Sequence, residues 1–90
     1  MNELTLKQAG FSSAWKVILG ISSVTHTQSE LLSSKKTIPY RQISGIFRDA
    51  ERCYIVWGAE VVHFLHQPQK AEYTSFVAEM VRRVKSAHGA

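Results

Sequence analysis

The feature that most constrains the fold is a helical repeat of apolar residues near the C-terminus. Six apolar residues recur there at the spacing i, i+3, i+4, i+7, i+8 and i+11, which places them on one face of an α-helix. Pro68 precedes the repeat, where a first helical turn does not need the missing N–H, and Gly89 follows it. We therefore predict an amphipathic helix over about residues 69–87. Its apolar face comprises Tyr73, Phe76, Val77, Met80, Val81 and Val84.

The charged residues of this segment also favour a helix. Glu72 lies early in it, whereas Arg82, Arg83 and Lys85 lie late, which suits the helix dipole. Glu79 and Arg83 are four residues apart, a spacing that predicts an ion pair on the helix surface.

Two β-branched and aromatic runs before the helix predict a β-hairpin. They cover residues 53–57 and 61–66, and Gly58-Ala59-Glu60 links them. Apolar residues occur on both faces of the first run, so we expect the hairpin to be central in a sheet, with the helix covering one side. Alternation places Cys53, Ile55 and Trp57 on one face and Tyr54 and Val56 on the other.

Further strands are predicted upstream of the hairpin. Residues 37–47 are typical of a strand end, a Pro-containing turn and another strand, and residues 49–52 form the turn into the hairpin. Residues 24–32 favour one more strand, paired with residues 36–38.

Residues 11–21 fit two structures. Phe11, Ala14, Trp15, Ile18 and Leu19 have helical spacing, with Ser12 or Ser13 as a possible cap. The alternation of Trp15, Val17, Leu19 and Ile21 with an outward Lys16 favours a strand, although periodicity alone does not decide so short a run.

These elements predict an α+β fold in which a C-terminal amphipathic helix packs on one face of an antiparallel sheet of four to six strands. The chain of 90 residues is expected to form a single domain, residues 1–90. In this arrangement the helix face packs on Ile46, Ile55, Trp57, Val62 and Phe64.

Composition points to a soluble protein with a mild basic excess. Eleven basic and seven acidic residues give a net charge of +4, and the basic residues are scattered. The N-terminus lacks the pattern of a signal peptide, and the most apolar run, residues 15–21, is interrupted by Lys16 and Gly20 and is too short to span a bilayer. We expect a cytoplasmic protein without a transmembrane segment.

The sequence does not predict catalytic or metal chemistry. His63 and His66 are three residues apart and would point to opposite faces of a strand, and the single cysteine, Cys53, is expected to be a buried, inert thiol. Serines lack a nucleophile-elbow motif, and the glycines are isolated rather than grouped in a phosphate-binding loop. Paired carboxylates for acid–base catalysis would have to come from residues that lie mostly in predicted turns: Glu30, Asp49, Glu51 and Glu60. We therefore expect a protein that is not an enzyme and needs no cofactor or metal.

The run Ile38-Pro39-Tyr40-Arg41-Gln42-Ile43-Ser44-Gly45-Ile46, followed by the hairpin and a helix starting near Gln69, resembles the bacterial pleckstrin-homology-like (PH-like) domains, including the small YcxB-like ones. The resemblance covers roughly residues 24–86. It implies a barrel of seven strands before the helix, or a reduced sheet of five or six strands whose open side would invite a second copy. YcxB-like proteins usually carry a membrane-spanning segment upstream, and this sequence departs from them there. A basic loop between early strands holds a phosphorylated head group in that family, which implies Lys35 and Lys36 here.

We therefore expect a non-catalytic binding or assembly module that recognises a protein or membrane-associated partner through self-association, as a homodimer. The predicted binding residues are Lys35, Lys36 and Arg41. The alternative is a small nucleic-acid-associated regulator that uses these three residues with Arg48 and Arg52 along one edge of the sheet.

Overall fold

A computed structural model describes residues 3–9, 14–29, 34–65 and 69–89 of the chain. In these parts seven strands precede one α-helix, and a short 3-10 turn, Tyr40–Gln42, separates the fourth strand from the fifth. The elements are β1 (Leu4–Ala9), β2 (Ala14–Leu19), β3 (Ser23–Ser29), β4 (Ser34–Pro39), β5 (Ile43–Arg48), β6 (Arg52–Trp57), β7 (Glu60–Leu65) and α1 (Ala71–Ala87).

The strands form two antiparallel sheets, one in the order β1-β2-β3-β4 and the other in the order β5-β6-β7. The predicted α+β class with a C-terminal helix is confirmed. The prediction of one sheet with four to six strands is wrong, because the described residues contain seven strands, which divide between two sheets. The chain changes sheet at the 3-10 turn that follows Pro39.

One segment, β1 (Leu4–Ala9), adds a strand to those that the sequence predicted. β1 alternates Leu4 and Leu6 with Thr5 and Lys7 and pairs with β2, where Leu6 lies opposite Val17. The polar stretch that follows β2 forms β3 and β4, as the pairing of residues 24–32 with 36–38 predicts, although residues 30–33 lie outside the described residues. Short strands with few apolar residues give only a weak sequence signal.

The segment that fitted both a helix and a strand is a strand over residues 14–19. Val17 and Leu19 are fully buried and Lys16 is exposed, as the alternation predicts. The prediction that Ile21 also faces inward is wrong, because β2 ends at Leu19 and Ile21 is 79% exposed in the turn that follows. Residues 11–13, which the helical alternative would have used as its start, lie outside the described part of the chain.

The hairpin of β6 and β7 is tighter than predicted. Glu60 pairs with Trp57 and belongs to β7, so Gly58 and Ala59 alone form the turn. Gly58 has a φ of +57°, and no described residue other than glycine has a positive φ. This combination is that of a type II′ turn, in which glycine occupies the first central position. The predicted last residue of the hairpin, His66, lies outside the described residues, as does Pro68.

The helix α1 begins at Ala71, two residues later than predicted, and ends at Ala87. Gly89 follows it with a φ of +80°, the left-handed conformation that commonly terminates a helix. The ring of Phe76 meets that of Phe64 edge-on at a centroid distance of 6.1 Å, and the Trp15 ring is tilted against Phe64 at a centroid distance of 5.7 Å. The helical residues predicted to face the core are buried, apart from the half-buried Val81: Tyr73, Phe76, Val77, Met80 and Val84.

Arg83 departs from its predicted place on the surface of the helix. Its Nε donates to Glu79 Oε2 at 2.7 Å, so the predicted ion pair is present. The guanidinium group, however, is buried, and its NH1 donates to the carbonyl oxygens of Leu19 and Gly20 at 3.2 and 3.1 Å. Arg83 therefore joins the helix to the end of β2.

At 17 residues and with charged side chains along its length, α1 does not meet the length and hydropathy that crossing a bilayer requires, and no other helix in the described part of the chain does.

Candidate binding surface

The three predicted binding residues do not share one site. Lys35 is exposed and lies on the face of β4 opposite to Lys36, whose ammonium group forms an ion pair with Glu60 at 3.2 Å. Arg41 lies in the 3-10 turn beyond the far end of β4; the four residue steps from Lys35 to Pro39 alone extend roughly 14 Å at about 3.4 Å per residue. The structure thus places these three cations in separate surroundings.

A polar cleft of about 180 Å³ lies between the first sheet, at β3 and β4, and β7, which is an edge strand of the second sheet. His26 forms its buried floor and hydrogen-bonds through Nε2 to the carbonyl oxygen of His63 at 3.1 Å, so Nε2 is the donor. The His63 side chain itself is exposed, and its Nδ1 accepts a hydrogen bond from the Arg52 guanidinium at 3.4 Å. This hydrogen bond from His26 ties the two sheets together.

Burial lowers the pKa of His26 below its usual 6.5, and the nearby His63 and Lys36 lower it further, whereas the hydrogen bond to the His63 carbonyl raises it. The folded state therefore favours the neutral imidazole. A group with a depressed pKa of this kind stabilises the fold fully above the unfolded pKa and progressively less as the pH falls below it.

We predict that the free energy of unfolding falls as the pH drops from 6.5 toward the pKa of folded His26, and that His26→Gln abolishes part of this fall. Glutamine keeps a donor for the His63 carbonyl but does not titrate. Urea unfolding at a series of pH values measures the effect. The control is His63→Gln, which removes the exposed imidazole and should retain the decline. Equal pH dependence in His26→Gln and the wild type would contradict this role of His26.

The outer face of the three-stranded sheet carries two of the exposed large hydrophobic side chains among the described residues, Phe47 and Val61. Phe47, Tyr54 and His63 lie side by side across β5, β6 and β7, and Gly45, Val56 and Val61 form the next row. Phe47 is 60% exposed and Val61 53%. We call this surface the outer face; it comprises Gly45, Phe47, Arg52, Tyr54, Val56, Val61, His63 and Leu65.

One edge of the Phe47 ring lies over Gly45. A Cβ on Gly45 would come within 2.7 Å of Cε2 of Phe47, so any other residue there would force the ring to move. The absence of a side chain at Gly45 leaves room for the edge of this ring.

The β5–β6 turn at one end of the outer face is held by Asp49. Its carboxylate accepts hydrogen bonds from the backbone N–H groups of Glu51 and Arg52 at 2.8 and 2.7 Å and from the Tyr54 hydroxyl at 2.8 Å. These donors lower the pKa of Asp49, the Glu51 N–H most of all. The turn interpretation of residues 49–52 is confirmed, and the same contacts fix the orientation of Tyr54.

The sequence indicates the outer face only in part. The apolar residues on both faces of β6 predicted a central hairpin covered on one side, and β6 is central in its sheet. The sequence pattern could not show that Phe47 and Val61 lie on the same uncovered face. That depends on how β5 pairs with β6, and this pairing is irregular between Ile43 and Gly45.

Cys53 is buried, and desolvation raises the pKa of its thiol to about 12, which confirms the prediction of a buried thiol and keeps it protonated at neutral pH. Within the described residues, no three His, Cys, Asp or Glu side chains are grouped so as to hold a metal ion.

Comparison of the chain with protein-family models, with curated proteins and with solved structures gave no match.

Proposed function

We propose that this chain is a non-catalytic binding or assembly module that recognises a protein or membrane-associated partner and associates with itself. The observation that carries the proposal is the pair of large apolar side chains, Phe47 and Val61, left more than half exposed on one sheet face. A group of exposed apolar side chains on a folded domain is typical of an interaction surface.

The order of the elements supports a PH-like type for this module. Four antiparallel strands, then three, then a helix agree with the seven strands before a helix that the resemblance implies. The motif that carries the resemblance, Ile38–Ile46, spans the 3-10 turn at which the chain leaves the first sheet for the second. The type is proposed from this agreement of order and motif.

The charges around the outer face favour a protein partner over a polyanion. Arg48 and Arg52 flank Asp49 and Glu51 at the β5–β6 turn, all four exposed, and Glu60 at the start of β7 pairs with Lys36. A nucleic-acid surface needs an excess of positive charge, whereas these residues balance. Retention on heparin that is strong at low salt and lost as salt rises would instead favour the nucleic-acid alternative.

The mass of the protein in solution tests the proposal. We predict that light scattering behind a sizing column gives the 10.2 kDa of one chain at the lowest concentrations and approaches twice that mass as the concentration rises. A mass of one chain throughout the series would contradict self-association.

A further inference from the structure

We infer that the solvent side of the four-stranded sheet binds the phosphate backbone of a nucleic acid through a row of lysines. This lysine row crosses all four strands and consists of Lys7, Lys16, Thr27 and Lys35. The inference goes beyond the proposed function, because the row lies on the other sheet from the outer face and does not depend on self-association.

The register of the strands assembles the lysine row. Lys7 lies opposite Lys16, Lys16 opposite Thr27, and Thr27 opposite Lys35. The three lysines are exposed, whereas Val17, the neighbour of Lys16 along the chain, is buried. Since successive side chains of a strand point to opposite faces, the lysines extend from the side of the sheet that faces away from the core. Cations that are scattered along the sequence thus form one line.

The charge of the lysine row is not balanced by neighbouring carboxylates. The four strands contain no aspartate and no glutamate, and the ion pairs of the described residues do not use these lysines. Glu3 precedes β1 and is four residues from Lys7, about 13 Å along an extended chain at about 3.3 Å per residue. Glu30 lies outside the described part of the chain.

Two of the lysines are placed unfavourably for the fold itself. Lys7 and Lys16 are directly opposite each other on neighbouring strands, and like charges in this position destabilise an antiparallel pair. An anion that bound between them would relieve the repulsion. The like-charge pair is therefore better explained by a bound anion than by the stability of the sheet.

Hydroxyl groups lie beside the lysines. The adjacent row across the same strands consists of Thr5, Ile18, Thr25 and Thr37. The hydroxyl oxygens of Thr25 and Thr37 are 3.3 Å apart. Lysine ammonium groups and threonine hydroxyls are both common donors to phosphate oxygens in nucleic-acid complexes. The two rows together present the donors that a phosphate backbone accepts.

The linear shape of the row favours a nucleic acid over a membrane. It crosses three strand spacings, about 14 Å at about 4.8 Å each, and a nucleic-acid strand carries one phosphate per about 3.4 Å of rise. The row thus matches several consecutive phosphates. Binding to an anionic bilayer generally uses clusters of about 4–8 basic residues or apolar side chains that insert. Ile18, the apolar residue of the adjacent row, is half-buried.

This surface contacts the backbone without reading the bases. Neither of the two rows contains an aromatic side chain on which a base could stack. A sheet of four strands is also too broad for the major groove, which admits a helix or a two-stranded ribbon. Binding is consequently independent of sequence and depends steeply on the salt concentration.

Fluorescence anisotropy of a labelled DNA duplex of mixed sequence, titrated with the full chain, tests the inference. The variants are Lys16→Gln and Lys35→Gln, each of which removes one charge from the row. Lys85→Gln is the matched control, because Lys85 is an exposed lysine in the last turn of α1 and its loss changes the net charge equally. Circular dichroism checks the fold, and Lys16→Gln should melt no lower than the wild type because it removes the like-charge pair.

Three lysine–phosphate contacts predict a slope of about −2.7 for the logarithm of the association constant against that of the salt concentration. Removing one contact should reduce the slope to about −1.8 and raise the dissociation constant about eightfold at about 0.1 M salt. We expect both row variants to behave in this way and Lys85→Gln to stay within about twofold of the wild type.

Four results would overturn the inference. They are the absence of DNA binding at low salt, equal weakening by Lys85→Gln and Lys16→Gln, and weakening by Arg52→Gln but not by Lys16→Gln, which would favour the edge used in the nucleic-acid alternative. The fourth is binding to phosphatidylserine vesicles, but not to DNA, that Lys16→Gln abolishes; it would identify an anionic membrane as the partner. None of them bears on the solution mass that tests self-association, so the two proposals fail separately.

Discussion

Replacing Phe76 by Asp is expected to unfold the protein. The Phe76 ring is 2% exposed and packs edge-on against Phe64, between the helix and the three-stranded sheet. Truncating a buried Phe costs about 3–5 kcal/mol through lost burial and the resulting cavity. A carboxylate there also lacks a partner, and burying an unpaired charge costs several kcal/mol more. The sum reaches the whole stability of an ordinary domain, about 5–15 kcal/mol.

A thermal melt followed by circular dichroism measures this effect. Ser75→Asp is the matched control, because Ser75 is the neighbouring residue and is exposed in the first half of the helix, where a negative charge suits the helix dipole. We expect a cooperative melt near that of the wild type for Ser75→Asp and no cooperative transition for Phe76→Asp. A wild-type melt for Phe76→Asp would contradict the packing of α1 described here.

The second large effect is expected at Arg83. Its buried guanidinium group donates to Glu79 and to the carbonyl oxygens of Leu19 and Gly20. Arg83→Met keeps much of the apolar stem but removes the donor that joins the helix to Leu19, whereas Glu79 keeps Arg82 and the Gly20 carbonyl keeps the Tyr40 hydroxyl at 2.8 Å. Loss of a buried hydrogen bond from a charged donor costs about 1.5–3 kcal/mol. This corresponds to a fall in Tm of roughly 6–24 °C for a domain of this size, at about 4–8 °C per kcal/mol.

The neighbouring arginine provides the control for this prediction. Arg82 donates to the same Glu79 carboxylate through Nε at 2.8 Å and NH2 at 2.6 Å, but its side chain is 59% exposed. Exposed ion pairs of this kind contribute little, so Arg82→Met should melt close to the wild type. If both variants lost the same stability, the contribution of Arg83 would come from its pairing with Glu79 alone, and the link to β2 would carry nothing.

Glu79, the acidic partner of both arginines, makes the stability of the fold depend on pH. Hydrogen bonds from Arg82 and Arg83 lower the pKa of Glu79 from 4.5 to about 2. The stabilisation from the ionised carboxylate is therefore complete above pH 4.5 and is lost as the pH falls toward 2. The buried His26 acts at higher pH, below 6.5, so the two contributions separate along the pH axis.

Sequence periodicity was sufficient for the elements with strong patterns. The helix was predictable because six apolar residues and its terminal glycine agree. The hairpin followed from its two β-branched runs, with the turn one residue too long. β1 was not predicted, because Leu4 and Leu6 are too few to distinguish a strand from a loop. The division into two sheets was also missed, since it depends on the change of direction at the 3-10 turn after Pro39, a tertiary feature.

The surface properties were harder to predict than the fold. The sequence does not show whether a lysine forms an ion pair with a carboxylate that is distant along the chain. Lys36 forms such a pair with Glu60. Arg83 has the spacing of a surface residue and is buried because the carbonyl groups at the end of β2 accept its hydrogen bonds. Phe47 and Val61 are 14 residues apart along the chain and share a face only through the register of three strands. Long-range contacts of this kind are not encoded in local periodicity.

The measurement that tests the central claim most directly is a dilution series of ¹⁵N-labelled protein followed by the chemical shifts of its backbone amides. We predict that the amides of the outer face, those of Phe47, Tyr54, Val56, Val61 and His63, shift together with concentration along one binding curve. Amides in the turn around Ile21 should stay constant. Shifts confined to β1 and the first half of α1, or no shift at the highest concentration, would contradict the proposed self-association through Phe47 and Val61.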